Sequence, residues 1–201
     1  MVRINAKKIK ARLEKLKQEQ ENQEKESREK ILVKAVISGD LIFSNKKEAF
    51  ALYEQSRFGE QKEGKIIYSI PECLYLVEKS KLEILDKNKK VSFEKLMSRF
   101  LKEDSKIGTK YAVFRDMRNR GYIVKTALKF GAEFRVYDKG KKPGEEHALW
   151  ILYPVRESEV LTWHDFSAKN RVAHSTKKNL LIGIVDEEQE ITYYEIIWRK
   201  P

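Results

Sequence analysis

From Ala6 to Lys30 the chain is nearly all Lys, Glu, Gln and Arg, with Ile9, Leu13 and Leu16 the only sizeable apolar residues. Leu13 and Leu16 make a thin helical stripe and Gln18 to Lys30 is polar all round, so residues 1–30 read as a charged, helical or frayed extension. From Ile31 the pattern changes to short apolar runs. Ile31-Leu32-Val33, Val36-Ile37 and Leu41-Ile42-Phe43 predict strands of a small sheet, with Ser38-Gly39-Asp40 as a tight turn. Ser44 to Tyr53 predicts a helix capped by Ser44 or Asn45, because Ala49, Leu52 and Tyr53 fall on one side. Lys65 to Tyr68 reads as a strand. Ser69 as cap and Pro71 in the first turn then open a helix whose buried face is Leu74 to Val77. Leu82 to Leu85 is a short strand, Asp86 to Lys90 a charged turn, and Ser92 starts a helix that runs through Phe100 or Leu101.

The stretch Glu103 to Gly108 is the predicted boundary, dividing a domain over 31–104 from one over 105–201. Tyr111, Phe114, Met117 and Arg118 lie at helical spacing, and Gly121 stands where a left-handed helix stop is needed. Strands follow at Tyr122 to Thr126, Glu133 to Tyr137 and His147 to Tyr153. The last two form a hairpin across Asp138 to Glu146, closed by the Pro143-Gly144 turn. A helix from about Trp163 to Lys178 and strands Leu180 to Val185 and Ile191 to Trp198 finish the chain. The fold class is α+β: a small N-terminal α/β domain and a C-terminal mixed-sheet domain with flanking helices. There is no internal repeat, glycine-rich phosphate loop or low-complexity linker.

With 201 residues and 41% hydrophobic content, the chain has enough apolar surface for a core. Lys and Arg total 42 against 31 for Asp and Glu, a net charge of +11, and this excess favours a polyanion, nucleic acid first. A heat-adapted surface explains the 36% charged content but not an imbalance of this size. The single cysteine, Cys73, excludes an internal disulfide framework and a multi-cysteine zinc site, and points to a reducing compartment. No apolar run approaches a membrane span, and Met1 to Asn5 leads into charge rather than a signal core, so a cytoplasmic protein is expected.

Chemistry concentrates in the C-terminal half. Tyr137 and His147 stand at the two lips of the hairpin loop, and a phenol with an imidazole can supply base and acid to a phosphodiester without a metal. Asn170 to Lys178 adds a basic cluster suited to a developing phosphorane charge. Of the three histidines, His147 sits at a loop-strand junction, His174 inside a helix and His164 near a helix start. A tyrosine, with a pKa of about 10, is a poor base unless cations lower it, and Arg135, Lys177 and Lys178 are candidates for doing so. No compact carboxylate pair with a nearby lysine suggests a metal-dependent nuclease.

Gly121 to Thr126, Lys129 to Tyr137, and Arg171-Val172-Ala173-His174-Ser175 followed by Lys177-Lys178 resemble the archaeal-type tRNA-splicing endonucleases, in the family's order. The resemblance implies a catalytic subunit that excises introns from precursor tRNA at bulge-helix-bulge sites, without metal or cofactor. Tyr137 would be the base on a ribose 2′-hydroxyl, His147 the acid on the leaving 5′-oxygen, and Lys178 the stabilising cation. Lys178 is preferred to Lys177 because the family motif keeps its last lysine. Arg171 matches an arginine that clamps a flipped bulge base, and Asp186, Glu187, Glu188 and Glu190 match an acidic loop that docks into an opposing subunit. The resemblance implies a tetramer, either homomeric or built with a noncatalytic paralogous subunit. Ala127 and Ala148 depart from the glycine and serine usual there, and neither change removes a reacting group. The rival reading is a noncatalytic scaffold or RNA-binding subunit, which has no need of all three of Tyr137, His147 and Lys178.

Overall fold

The computed structural model describes residues 32–127 and 131–199. The expected extension over residues 1–30, Ile31, and Lys129-Phe130 of the second resembling block lie outside the described residues. Alternation in Val33–Ser38 (β1) buries Val33 and Ala35, and the strand runs unbroken where two short runs were expected. It pairs antiparallel with Leu41–Ser44 (β2) across a turn in which Gly39 takes φ +59. Glu60–Lys62 (β3), Lys65–Tyr68 (β4), Leu82–Asp86 (β5) and Lys89–Val91 (β6) complete a six-stranded sheet ordered β3-β4-β2-β1-β5-β6. Only β1 and β5 run parallel.

Several expectations change in detail. Lys47–Ser56 (α1) starts later than expected and Lys46, not Ser44 or Asn45, precedes it. Ser44 ends β2, and its hydroxyl donates to the Lys34 carbonyl at 2.6 Å, so it is committed to the sheet. The expected charged turn at Asp86 to Lys90 narrows to Lys87-Asn88, both at positive φ, between two paired strands. That is the geometry of a two-residue hairpin turn whose twist matches its strands.

Ile70–Glu78 (α2) begins as the Ser69 and Pro71 signals require, with Glu72 accepting from the Ser69 amide and hydroxyl. Phe93–Glu103 (α3) is capped by Ser92, and Ile107–Asn119 (α4) ends at Gly121 in the expected left-handed stop. The Gly121 and Tyr122 amides there return to the Arg118 and Met117 carbonyls.

The second sheet has order β11-β10-β9-β8-β7. Its strands are Ile123–Thr126 (β7), Phe134–Tyr137 (β8), Trp150–Arg156 (β9), Asn179–Val185 (β10) and Ile191–Ile196 (β11), with β9 and β10 parallel. β9 runs on through Pro154, beyond the expected end at Tyr153. Its pairing with β8 stops at Leu152, so the proline, with no N–H to offer, has a neighbour on one side only. Trp163–Ser175 (α5) packs on one face of this sheet through Ala173 and Phe166, against Ile151, Leu180 and Ile182. The other face joins a core shared with the first sheet: Val33, Ile84, Leu74 and Leu96 are continuous through Phe114 with Phe134, Val136 and Leu152. The Tyr75 ring of α2 meets the Phe114 ring of α4 edge-on at 6.0 Å, a contact that joins the two halves.

Candidate active site

β8 builds the first wall. Its two-residue period sends Phe134 and Val136 into the shared core and turns Arg135 and Tyr137 to the opposite face. Arg135 stands opposite Ile151 in the ladder, and Tyr137 opposite Ile123. Tyr137 is 3% exposed and packs with Ile123 and Ala148, and it also lines a cavity.

The hairpin loop supplies His147. Glu145 and Glu146 amides fold back on the Lys142 carbonyl around Pro143-Gly144, with Gly144 at φ +98, as the sequence requires of that turn. Lys141 pairs with Glu146, and this hydrogen-bonded ammonium keeps the Glu146 carboxyl below its usual range. His147 follows on an exposed stretch.

The end of α5 supplies Lys178. The helix stops at Ser175 rather than at Lys178, because Lys177 adopts φ +55 and the Lys177 and Lys178 amides return to the His174 and Ala173 carbonyls. This is the same double hydrogen-bonded stop that ends α4, formed here without a glycine. Reversal of the chain throws Lys178 back toward the sheet, where its ammonium donates to the Thr176 carbonyl at 2.6 Å. Burial, and then the neighbouring Arg135 charge, lower its pKa from the ordinary lysine value.

These segments meet. One cavity of about 410 Å³ is lined by Tyr137, His147 and Lys178 together with Arg135, Ile151 and Thr176. Lys177 does not line it. Glu146 contributes the anionic rim against the Arg135 and Lys178 cations. A phenol, an imidazole and two cations around one volume are suited to moving two protons about a phosphodiester while holding its negative charge. Among the described residues, no three His, Cys, Asp or Glu side chains gather as a candidate metal site.

The remaining candidates lie elsewhere. Arg171 is exposed on α5 and is not among the residues lining the cavity. Asp186, Glu187, Glu188 and Glu190 form the turn between β10 and β11. The Asp186 carboxylate accepts from the Glu190 amide at 2.8 Å, and the other three side chains face solvent. Asp186 and Glu187 border a separate cavity of about 420 Å³ beside Arg156. Arg135, named from the sequence as a cation acting on Tyr137, lines the cavity, whereas Thr176 entered it without warning from sequence. Arg135 shares the parity of Tyr137 along β8, which was the available signal; the Thr176 contribution depends on where α5 stops.

Comparison with known proteins gives two adjoining matches. Residues 33–97 match the tRNA intron endonuclease N-terminal domain, and residues 107–193 match the tRNA intron endonuclease catalytic C-terminal domain. The tRNA-splicing endonuclease of Thermococcus onnurineus (strain NA1) is 42% identical over 165 residues, covering 82% of this chain and 95% of that protein. Its counterpart in Methanothermobacter thermautotrophicus is 39% identical over 165 residues, with 81% and 96% covered. That of Nanoarchaeum equitans is 43% identical over 136 residues, with 65% and 87% covered.

Proposed function

Because this chain belongs to the tRNA intron endonuclease family, we propose that it is a catalytic subunit cutting precursor tRNA at intron boundaries by 2′-hydroxyl attack. The observation that carries this reading is the convergence of Tyr137, His147 and Lys178, from three separate segments, on one cavity.

Tyr137 removes the proton from the ribose 2′-hydroxyl beside the scissile phosphate. The oxygen attacks phosphorus in line, and the bond to the 5′-oxygen of the next nucleotide breaks. His147, exposed at the cavity mouth, gives that oxygen its proton. Lys178 and Arg135 face the non-bridging oxygens, whose charge grows in the pentacoordinate transition state. The products are a 2′,3′-cyclic phosphate and a 5′-hydroxyl, and no proton is gained or lost overall. Arg171 holds an unpaired bulge base by its guanidinium face.

Two copies are needed to make two cuts. β11 stands at the edge of its sheet, with Tyr194 on it and Ile197 and Trp198 just beyond it between 49% and 56% exposed, which supports edge-to-edge pairing of subunits. The exposed acidic turn Asp186 to Glu190 supports docking into a basic surface of another subunit. Residues of this kind fit a tetramer, homomeric or with a noncatalytic paralogue.

The test is cleavage of an intron-containing precursor tRNA in chelator, by the parent chain and by His147→Ala. Cutting to a cyclic-phosphate end, abolished by the substitution and by a 2′-deoxy nucleotide at the cut, is the expected result. Cutting of the 2′-deoxy substrate, or undiminished cutting by the variant, overturns the mechanism.

A further inference from the structure

The cavity holding Tyr137 does not end there. A second cavity of about 300 Å³ shares Arg135, Tyr137 and Gly144 with it and continues past Lys125 into the N-terminal half, along Tyr53, Arg57, Glu60 and Gln61. Lys125, Arg57 and Arg135 line this space with the Glu60 carboxylate; Lys125 is held inside the fold by Glu72 at 2.8 Å, both side chains buried, whereas the Glu54 carboxylate that pairs with Arg57 is 64% exposed.

Arg57 is built into position. It follows α1 at φ 57, ψ 29, a left-handed helix stop that glycine ordinarily fills. Its side chain is 16% exposed, 3.0 Å from the Glu54 carboxylate, and its guanidinium lies 5.4 Å from the Tyr53 ring centre. The loop that carries it is pinned from three sides. The Gly59 amide donates to Glu72 at 2.9 Å, the Lys125 ammonium donates to the Gly59 carbonyl at 2.5 Å, and Arg118 donates to the Ser56 carbonyl at 2.9 Å. Arg118 also covers the Phe58 ring at 3.9 Å. A partly buried cation beside an aromatic ring, at a fixed place in a groove continuous with the cavity of Tyr137, has the chemistry of a nucleotide subsite.

We propose that this second cavity binds the RNA strand on the 5′ side of the cut, with Arg57 holding a backbone phosphate and Tyr53 stacking an unpaired base. The polarity rests on the roles assigned above. Tyr137 acts on the 2′-hydroxyl, which belongs to the nucleotide 5′ of the scissile phosphate, and His147 acts on the oxygen of the nucleotide 3′ of it. Tyr137 lines both cavities and His147 only the first. The groove that leaves on the tyrosine side therefore receives the upstream chain. An acidic segment of a second copy also complements Arg57 in charge, but it has no use for an aromatic platform or for continuity with the reacting phosphate.

Arg57→Gly and Tyr53→Leu are the test variants. Glycine suits the backbone at 57, so Arg57→Gly keeps or raises the melting temperature and any loss reports the side chain. Binding is measured on bulge-containing RNA made uncleavable by a 2′-deoxy nucleotide at the cut, and cleavage is measured in single turnover on the ribose form. Arg57→Gly weakens binding about tenfold, leaves the saturated cleavage rate within about twofold, and makes the slope of log affinity against log salt shallower by about 0.7. On RNA truncated just 5′ of the cleaved nucleotide, parent and variant bind alike. Parental affinity in both variants overturns the proposal, as does a loss that persists on the truncated RNA. A change in sedimentation of Arg57→Gly without the truncation effect also overturns it and assigns the cavity to a second copy. Binding to uncleavable RNA is read whether or not the parent cuts, so failure of the subsite and failure of the proposed mechanism give different results.

Discussion

Replacing Lys125 by methionine removes one partner of the ion pair that ties β7 to α2. The two side chains are 6% and 4% exposed and 2.8 Å apart, and Glu72 also accepts from the Gly59 amide and from the Ser69 amide and hydroxyl. Breaking a buried pair from one side costs about 3–5 kcal/mol, and the three remaining donors put Lys125→Met near the low end, about 3 kcal/mol. For a chain of this size that lowers the melting temperature by about 6–12 °C. Lys125→Met with Glu72→Gln removes both charges of the pair and loses about half as much. The pH dependence is sharper still. Burial, the largest influence on Glu72, pushes its pKa up, but the Lys125 charge and hydrogen bond with the Ser69 and Gly59 bonds outweigh it and hold it below 4.5. A carboxyl with a depressed folded pKa contributes stability above its unfolded value and loses it as pH falls through the folded one. The parent therefore weakens on acidification below about pH 4.5. In Lys125→Met burial prevails, Glu72 binds its proton more tightly folded than unfolded, and stability rises as pH falls from about 7 to 5. Guanidinium midpoints read by circular dichroism at four pH values between 5 and 8 measure both effects. A loss under about 1 kcal/mol, or a variant whose midpoint does not rise toward pH 5, refutes the reasoning.

Gly59→Ala puts a Cβ 2.4 Å from the Ile66 side chain and 3.0 Å from the Ile67 carbonyl at φ +80, so it costs more than about 3 kcal/mol and lowers the denaturation midpoint accordingly. Lys177→Gly relieves the left-handed residue after α5 and stabilises by about 1 kcal/mol, with cleavage retained, since Lys178 and not Lys177 lines the cavity. Lys178, lowered by burial and then by Arg135, loses its charge at lower pH than an ordinary lysine. Single-turnover cleavage accordingly declines early on the alkaline side, and Arg135→Gln moves that decline to higher pH; an unmoved limb in Arg135→Gln counts against Lys178 as the titrating cation.

Legibility followed local chemistry. The start of α2 was readable because Ser69, Pro71 and Glu72 act within one turn, and the end of α4 because Gly121 suits the backbone it must adopt. The hairpin turn at Pro143-Gly144 was readable for the same reason. β3 and β6 were not. Glu60-Gln61-Lys62 has no buried residue and Lys89-Lys90-Val91 only a partly buried valine, because both are sheet edges, where charge discourages further pairing and erases the alternation that marks a strand. The end of α5 was misplaced because Lys177 occupies a glycine position without being one. Tyr137, His147 and Lys178 were named through family resemblance, while their meeting in one cavity depends on sheet order, which no local pattern carries. The second cavity was invisible for that reason: Tyr53 and Arg57 reach Arg135 and Tyr137 only through the packing of the two halves.

Of three helix stops made by a non-glycine residue in left-handed conformation, Arg57, Ser80 and Lys177, the first and last adjoin residues that line the two cavities. Arg57 and Lys177 each strain the backbone at a point where glycine is cheaper, and each is held there by interactions that over-determine the turn: the Glu72, Lys125 and Arg118 bonds around Arg57, and the returning amides of Lys177 and Lys178. Glycine at either position is expected to steady the fold, yet the two substitutions separate in function. At 177 the side chain is outside the cavity and only the turn is needed to aim Lys178, so stability rises and cutting persists. At 57 the side chain itself faces the groove, so the same relief of strain comes with weaker RNA binding. Strain retained where glycine suffices for the backbone is intelligible at Arg57 as the consequence of a side chain selected for its charge; at Lys177 nothing in the structure explains why glycine is absent.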